Sequence, residues 1–201
     1  MIPVSTLGTP RLRLRDWRDD DLPAFRALNL DRDVRRHFPS VLTPYESDAF
    51  ACSIRAFLSE NGWGLWAVEV VGGAPFIGFV GLGRPGFEPF TDCVEVGWRL
   101  SSESWGQGYA TEAARAAVAF GFTALGLKEI VAFTVPGNMA SRRVMEKLRM
   151  VRDEAGDFLH PRVAEGHPLR PHVLYRLPFE AWAAPHDAFR HASASASAGA
   201  R

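Results

Sequence analysis

Val94-Glu95-Val96-Gly97-Trp98-Arg99-Leu100, followed after a short loop by Trp105-Gly106-Gln107-Gly108-Tyr109-Ala110-Thr111-Glu112, decides the fold. The first segment alternates apolar residues with Glu95, Gly97 and Arg99, as a strand does, and Gly97 marks a site for a bulge or a close backbone approach. The second runs from a glycine pair into Ala110, Ala113, Ala114, Ala117, Val118, Gly121, Phe122 and Leu125 at helical spacing, with Gly126 as a stop. A helix that starts in a glycine loop presents free backbone N–H groups and the positive end of its dipole, which suits a phosphate or pyrophosphate. A glycine pair alone fits an ordinary loop with positive φ at least as well. Spelling removes two known phosphate loops. Gly108-Tyr109-Ala110 lacks the Lys and Ser/Thr of the P-loop, and the three glycines of the dinucleotide fingerprint are absent.

Upstream, Arg11 to Arg15 has strand alternation, Asp19-Asp20-Asp21 offers an N-cap for a helix carrying Leu22, Phe25, Ala27 and Leu28, and Thr43-Pro44-Tyr45-Glu46 spells a capping box for a helix to about Leu58. Leu65–Val71 and Phe76–Leu82 read as two strands joined by a tight turn at Gly72-Gly73. A Pro- and Gly-rich loop leads to the fourth strand, Cys93–Leu100. Downstream, Ile130–Val135 reads as the fifth, broken by Pro136-Gly137, and Asn138 opens a helix with Val144, Met145 and Leu148 toward the core. A last strand lies near Val173–Leu177. An antiparallel first half that changes to strand-helix-strand-helix implies an α/β (α+β) domain, a mixed sheet flanked by helices.

The chain has 201 residues, enough for one well-filled core, and its 23 basic and 23 acidic side chains set up no global field to gather nucleic acid. Cys52 and Cys93 form no CxxC pair, so a disulfide framework or thiolate zinc site has nothing to build on. No window approaches the ~18 uncharged apolar residues of a membrane span, and no basic stretch leads an apolar segment at the start. The expectation is a cytoplasmic protein that engages neither membrane nor nucleic acid. One domain over residues 9–183 and an Ala/Ser-rich tail over 184–201 complete the layout.

The sequence resembles the GNAT N-acetyltransferases, in particular the branch that contains the ribosomal-protein N-terminal acetyltransferases. The resemblance rests on Glu95-Val96-Gly97-Trp98, on Trp105 to Ala113, on Asn138-Met139-Ala140-Ser141-Arg142-Arg143-Val144-Met145-Glu146-Lys147-Leu148, and on the closing His167-Pro168-Leu169-Arg170 and Val173–Leu177. It implies a mostly antiparallel mixed sheet of six to seven strands with a splayed gap between the fourth and fifth. Acetyl-CoA is the implied acetyl donor, its pantetheine arm lying like an added strand along Trp98, Arg99 and Leu100. Its pyrophosphate would sit on Trp105, Gly106, Gln107, Gly108, Tyr109, Ala110 and Thr111. The resemblance also implies that Asn138 and Ser141 reach the thioester end, with Arg142, Arg143 or Lys147 as supplementary cations. No metal is implied. Spacing alone makes Asn138 a helix cap supported by Ser141.

The acid Tyr of many family members falls here at Met145, which cannot donate a proton, so Ser141 or a water is left to protonate the departing thiolate. The first position of the pyrophosphate motif is Trp105, which leaves more of the grip to backbone amides. Glu95 is the expected general base for the attacking amine; the plainer alternative pairs it with Arg99 across the same face. His160, His167, His172 and Asp157 are expected to edge the acceptor site, and Trp63, Trp66, Phe87 and Phe90 either line it or fill the core. The acceptor expected is an amine, a protein N-terminus in preference to a small molecule. A coenzyme A-binding protein without catalysis is the alternative of a different class. A homodimer is the expected assembly on general grounds.

Overall fold

The computed structural model describes residues 3–184, so the tail expected beyond them lies outside the described residues. Eight strands, β1 (Leu7–Gly8), β2 (Leu12–Arg15), β3 (Leu65–Val70), β4 (Gly78–Gly83), β5 (Glu95–Leu100), β6 (Glu129–Thr134), β7 (Val151–Leu159) and β8 (Pro171–Pro178), form one sheet in the order β1-β2-β3-β4-β5-β6-β8-β7. Every neighbouring pair is antiparallel except β5 and β6. The helices that bear on the site are α1 (Leu22–Leu30), α2 (Arg32–Arg35), α3 (Pro44–Asn61), α4 (Tyr109–Thr123) and α5 (Met139–Lys147), and residues 179–184 are also helical.

The sheet therefore exceeds the expected six to seven strands. β1 has only two residues, too few to show a pattern. β7 reads Val-Arg-Asp-Glu-Ala-Gly-Asp-Phe-Leu because it is the outer strand, where charge is tolerated on both faces and alternation disappears. The bulge expected at Gly97 is absent on the β4 side, where the ladder runs unbroken from Gly78↔Leu100 to Gly83↔Glu95.

Local chemistry explains the helix ends. Glu46 N–H donates to Thr43 Oγ1 at 3.2 Å and Thr43 N–H to Glu46 Oε2 at 2.8 Å, the expected capping box, and α3 runs on to Asn61 before Gly62 takes a left-handed φ of 75°. Asp21 does not cap α1. Its carboxylate is engaged by Arg15, whose Nη1 and Nη2 donate at 2.8 and 2.9 Å, and by the Arg18 N–H, while Asp19–Asp21 coils as a 3-10 turn. The four-residue α2, too short to read from periodicity, starts at Asp31, whose Oδ1 accepts from Asp33 N–H at 2.8 Å.

Two layers of helix cover the sheet. α4 turns Ala113, Ala114, Ala117, Val118 and Phe122 onto Val80, Leu82, Val96 and Ile130, and its small side chains let the helix axis approach closely. On the opposite face Trp17, Phe25, Phe50, Phe76 and Phe79 interlock in edge-to-face and tilted pairs beneath α1 and α3, with centroids 4.9 to 6.4 Å apart.

Close approach of backbones fixes one position in the middle of this sheet. Gly64 C=O accepts from Leu82 N–H at 2.9 Å, and a Cβ on Gly81 would fall 1.9 Å from that oxygen. Gly81→Ala must push two backbones apart and is expected to lower stability by about 1–3 kcal/mol, measurable as a shifted urea midpoint at unchanged m-value.

Candidate active site

β5 and β6 share a single registered pair, Glu95↔Val131, with Val131 N–H donating to Val94 C=O at 3.0 Å. Beyond it the strands part. Main-chain groups alternate sides along a strand, and two bonds set the phase: Val94 C=O faces β6, whereas Ser101 N–H faces the other way and donates to Ile77 C=O at 2.9 Å. Trp98 and Leu100 therefore turn their N–H and C=O toward the gap, while Gly97 and Arg99 spend theirs on β4. Leu100 C=O is already occupied, accepting from Trp105 Nε1 at 2.9 Å. The groups left for an added strand are both of Trp98 and the N–H of Leu100.

At the mouth of the gap, Gly106 and Gly108 hold left-handed φ values of 74° and 82°, and Gly108 is the N-cap of α4 with no side-chain cap. The first N–H groups of α4 are thus free to meet an anion. Nothing lies within 4 Å of where a Cβ on Gly106 would be, and only Arg11 Nη2, at 3.5 Å, approaches that of Gly108. Thr111, 8% exposed, lines the same groove as Arg11 and Gly108.

Arg11 is the functional candidate that sequence reasoning missed. Its Nε donates to Glu112 Oε2 at 2.7 Å, its Nη1 to the Gln107 carbonyl at 3.1 Å, and its guanidinium covers the Tyr109 ring at 4.8 Å. It braces the loop from β2, and only its place in an alternating Arg-Leu-Arg-Leu-Arg run was visible beforehand. Arg115 and Lys147 line the same groove as Arg11 and Gly108, adding cations beside the helix start. The backbone, the left-handed glycines and these cations fit a diphosphate.

Asn138 caps α5, with Oδ1 accepting from Ser141 N–H at 3.2 Å, and its Nδ2 donates to Thr134 Oγ1 and Ser141 Oγ, each at 3.0 Å. The hydroxyl of Ser141 is held in place and keeps its own proton to donate. Arg142 does not point into free space: its Nε donates to the Tyr175 hydroxyl at 3.1 Å and its Nη1 to the Pro136 carbonyl at 3.2 Å. Met145 is buried in the core at 2% exposure.

Glu95 lies where β5 and β6 diverge, and Arg99 is not its partner. Burial pushes its carboxyl up to about 8, and the positive charge of Arg162 pulls weakly the other way. Arg162 is itself fixed, donating through Nη2 to the Pro85 carbonyl at 2.7 Å and covering Phe87 at 5.3 Å. Phe87, Phe90, Phe133 and Phe158 form an apolar wall there, into which His160 and His172 stack 4.8 Å apart. Burial lowers the His160 imidazole to about 4, so it stands neutral beside Phe87. His167 instead turns its Nδ1 to the Leu169 N–H. Trp63 and Trp66 are core residues at 8% and 0% exposure. Among the described residues no group of three or more His, Cys, Asp or Glu is placed to hold a metal ion, and no helix is long and apolar enough to cross a membrane.

The Acetyltransferase (GNAT) domain model matches residues 11–151. Relatives of similar length occur in Bacillus subtilis strain 168. The uncharacterized protein YkkB is 33% identical over 147 residues, 72% of this chain and 84% of YkkB. The uncharacterized N-acetyltransferase YnaD is 27% identical over 179 residues, 88% of this chain and 98% of YnaD. The solved acetyltransferase (GNAT family) from Bacillus anthracis aligns with a TM-score of 0.72 at 26% identity, covering 88% of this chain and 99% of that one. RimL, a ribosomal L7/L12 alpha-N-protein acetyltransferase solved in complex with coenzyme A, shares the fold with a TM-score of 0.69 at 17% identity, covering 88% of this chain and 99% of its own. With that domain model reaching from β2 to the first residue of β7, the chain belongs to the GNAT acetyltransferase family.

Proposed function

We propose that the protein transfers acetyl directly from acetyl-CoA to a primary α-amine, with Glu95 as the base. The family's acyltransferase activity and its use of acetyl-CoA set the reaction class. The observation that carries the finer reading is Glu95, a carboxyl held near 8 at the start of the β5–β6 gap, on the strand that offers the free Trp98 N–H. A base is most effective when its pKa lies near that of the group it deprotonates and near ambient pH, and an α-amine titrates near 8 whereas a lysine titrates near 10.4.

The amine nitrogen attacks the thioester carbonyl, and the N–C bond forms as the C–S bond breaks. The amine proton passes to Glu95, directly or through one water. The thiolate leaves with a proton from Ser141 or solvent, a small demand for a thiol of pKa near 8.5. Trp98 N–H is the main-chain donor available to the developing oxyanion, a dipole fixed by the strand before the reaction begins. The fold shared with RimL accords with a protein N-terminus as acceptor, and the site is compatible with a smaller α-amine.

Two outcomes follow from these assignments. With a weakly basic acceptor such as methoxyamine, which is neutral across the range, kcat rises with pH up to about 8, where Glu95 ionises. Glu95→Gln removes that limb and lowers kcat about 10²–10⁴-fold while the affinity for coenzyme A stays constant. A pH limb that survives in the variant would sink the assignment. Because the folded carboxyl titrates higher than the unfolded one, the native state binds the extra proton between about 4.5 and 8. Wild-type stability therefore falls across that window relative to Glu95→Gln, which thermal melts at several pH values will register. In the loop, Gly108→Val forces a side chain into left-handed backbone and is expected to weaken coenzyme A binding about tenfold or more by calorimetry.

A further inference from the structure

Arg99 shares the Glu95–Gly97–Arg99 face of β5, yet it carries charge of the opposite sign and has no carboxylate to answer it. Its Nη1 donates to Asn29 Oδ1 at 2.8 Å, and its Nε is sealed from solvent with no acceptor among the described residues. The guanidinium is held over three aromatic rings, Phe38 at 4.4 Å, Phe79 at 5.2 Å and Phe50 at 5.6 Å. Arg35, 8% exposed, covers the same Phe38 ring at 4.3 Å and engages the Ser40 carbonyl, so a second guanidinium faces this corner. Asn29 is itself locked, its Nδ2 donating to the buried Ser47 Oγ at 2.9 Å. Burial and the neighbouring Arg35 charge push Arg99 down to about 9, which leaves it cationic at neutral pH.

A half-buried guanidinium with one nitrogen sealed from solvent and no counter-charge is costly, and the neighbouring Arg35 charge, itself met by Glu46, adds to that cost. Elsewhere in this chain the buried Arg15 is paired with both Asp21 and Glu69, which shows how a structural arginine is neutralised here. Arg99 is built the other way: half-buried, held by Asn29 and three aromatic rings, and without an anion among the described residues. Gly97, one step back on the same face, has nothing within 4 Å of its Cβ position, so open space separates Glu95 from Arg99. Glu95 and Arg99 lie two same-face steps apart, about 13 Å between Cα atoms, a span that the two long side chains and an amine carrying an acid group fill between them.

We propose that Arg99, supported by Arg35 and Asn29, is the specificity-determining residue of the acceptor site and binds a carboxylate of the acceptor, so that the substrate is a primary amine whose own skeleton bears a carboxylate. This rests on the acetyltransferase reading of the same cleft. With Nη1 engaged by Asn29 and Nε sealed, the Nη2 N–H groups are what a carboxylate would meet, and the flanking phenyl rings leave few further donors for a doubly charged phosphate.

The test compares glycine, β-alanine, aspartate and glutamate with their amides, and the amidated peptides Asp-Ala-Ala and Glu-Ala-Ala with Asn-Ala-Ala and Gln-Ala-Ala, by thiol release from acetyl-CoA. The carboxylate-bearing amines are expected to exceed their amides in kcat/KM by about 10- to 100-fold, and the two sets separate a free amino acid from an acidic chain terminus as the source. Arg99→Met should abolish that preference with coenzyme A affinity unchanged, whatever the loss of its bond to Asn29 Oδ1 does to Tm. A merely structural arginine would give an unchanged preference, which overturns the proposal, as would amides and acids serving equally in the wild type. Thermal shift by N-acetylated acids against N-acetylated amides, with coenzyme A present, decides the matter without turnover. Selective protection by the acids that Arg99→Met abolishes upholds the anion subsite even if no amine is acetylated, the result that would count against the acetyltransferase reading alone.

Discussion

The parting of β5 from β6 beyond the Glu95–Val131 pair governs the rest of the molecule. Parallel neighbours need a crossover, and α4 supplies it, entering from the glycine loop at one end of β5 and returning through Lys128 to β6. Had the two strands stayed zipped, α4 would still cover the sheet, but no main-chain donor would remain in its centre. Because they diverge, both groups of Trp98 and the N–H of Leu100 stand unpaired in the interior. Unpaired main-chain groups are tolerated only where water or a ligand meets them. The slot and the helix start with its free amides are thus two ends of one opening.

Much of this was legible in the sequence because it rests on local rules. Thr43 and Glu46 spell their cap, Gly106 and Gly108 announce a turn that only glycine adopts with ease, and Asn138 stands where a helix must begin. Other features lay beyond such reading because their partners are remote in sequence. Arg11 meets Glu112 at a separation of 101 residues, and Arg99 meets Asn29 at 70. The outer strand β7 was missed because an edge exposed on both faces imposes no apolar period, and α2 because one turn is shorter than a period. Asp21 shows the reverse error, a good capping residue drawn away by a buried arginine that binds it more strongly.

The face of β5 that carries Glu95, Gly97 and Arg99 concentrates the electrostatic expense of the fold. At one end a carboxyl is held near 8, at the other a guanidinium near 9, both by desolvation and neither by the other. Aromatic side chains surround each: Phe87 and its neighbours on the Glu95 side, Phe38, Phe50 and Phe79 on the Arg99 side. Such surroundings strengthen any charge interaction made within them. The Arg15–Asp21–Glu69 network and the interlocked phenyl rings beneath α1 and α3 lie apart from this strip, where rigidity carries no chemical constraint.

The indole of Trp105 binds the carbonyl that closes β5, and this ties the glycine loop to the strand that borders the gap. The span from the amides of α4 to Trp98 is then a fixed length set by protein backbone and not by the ligand. Under the mode of coenzyme A binding proposed above, the cleft is a gauge: a donor whose arm is cut short would seat its diphosphate yet leave its acyl carbon out of register with the attacking nitrogen.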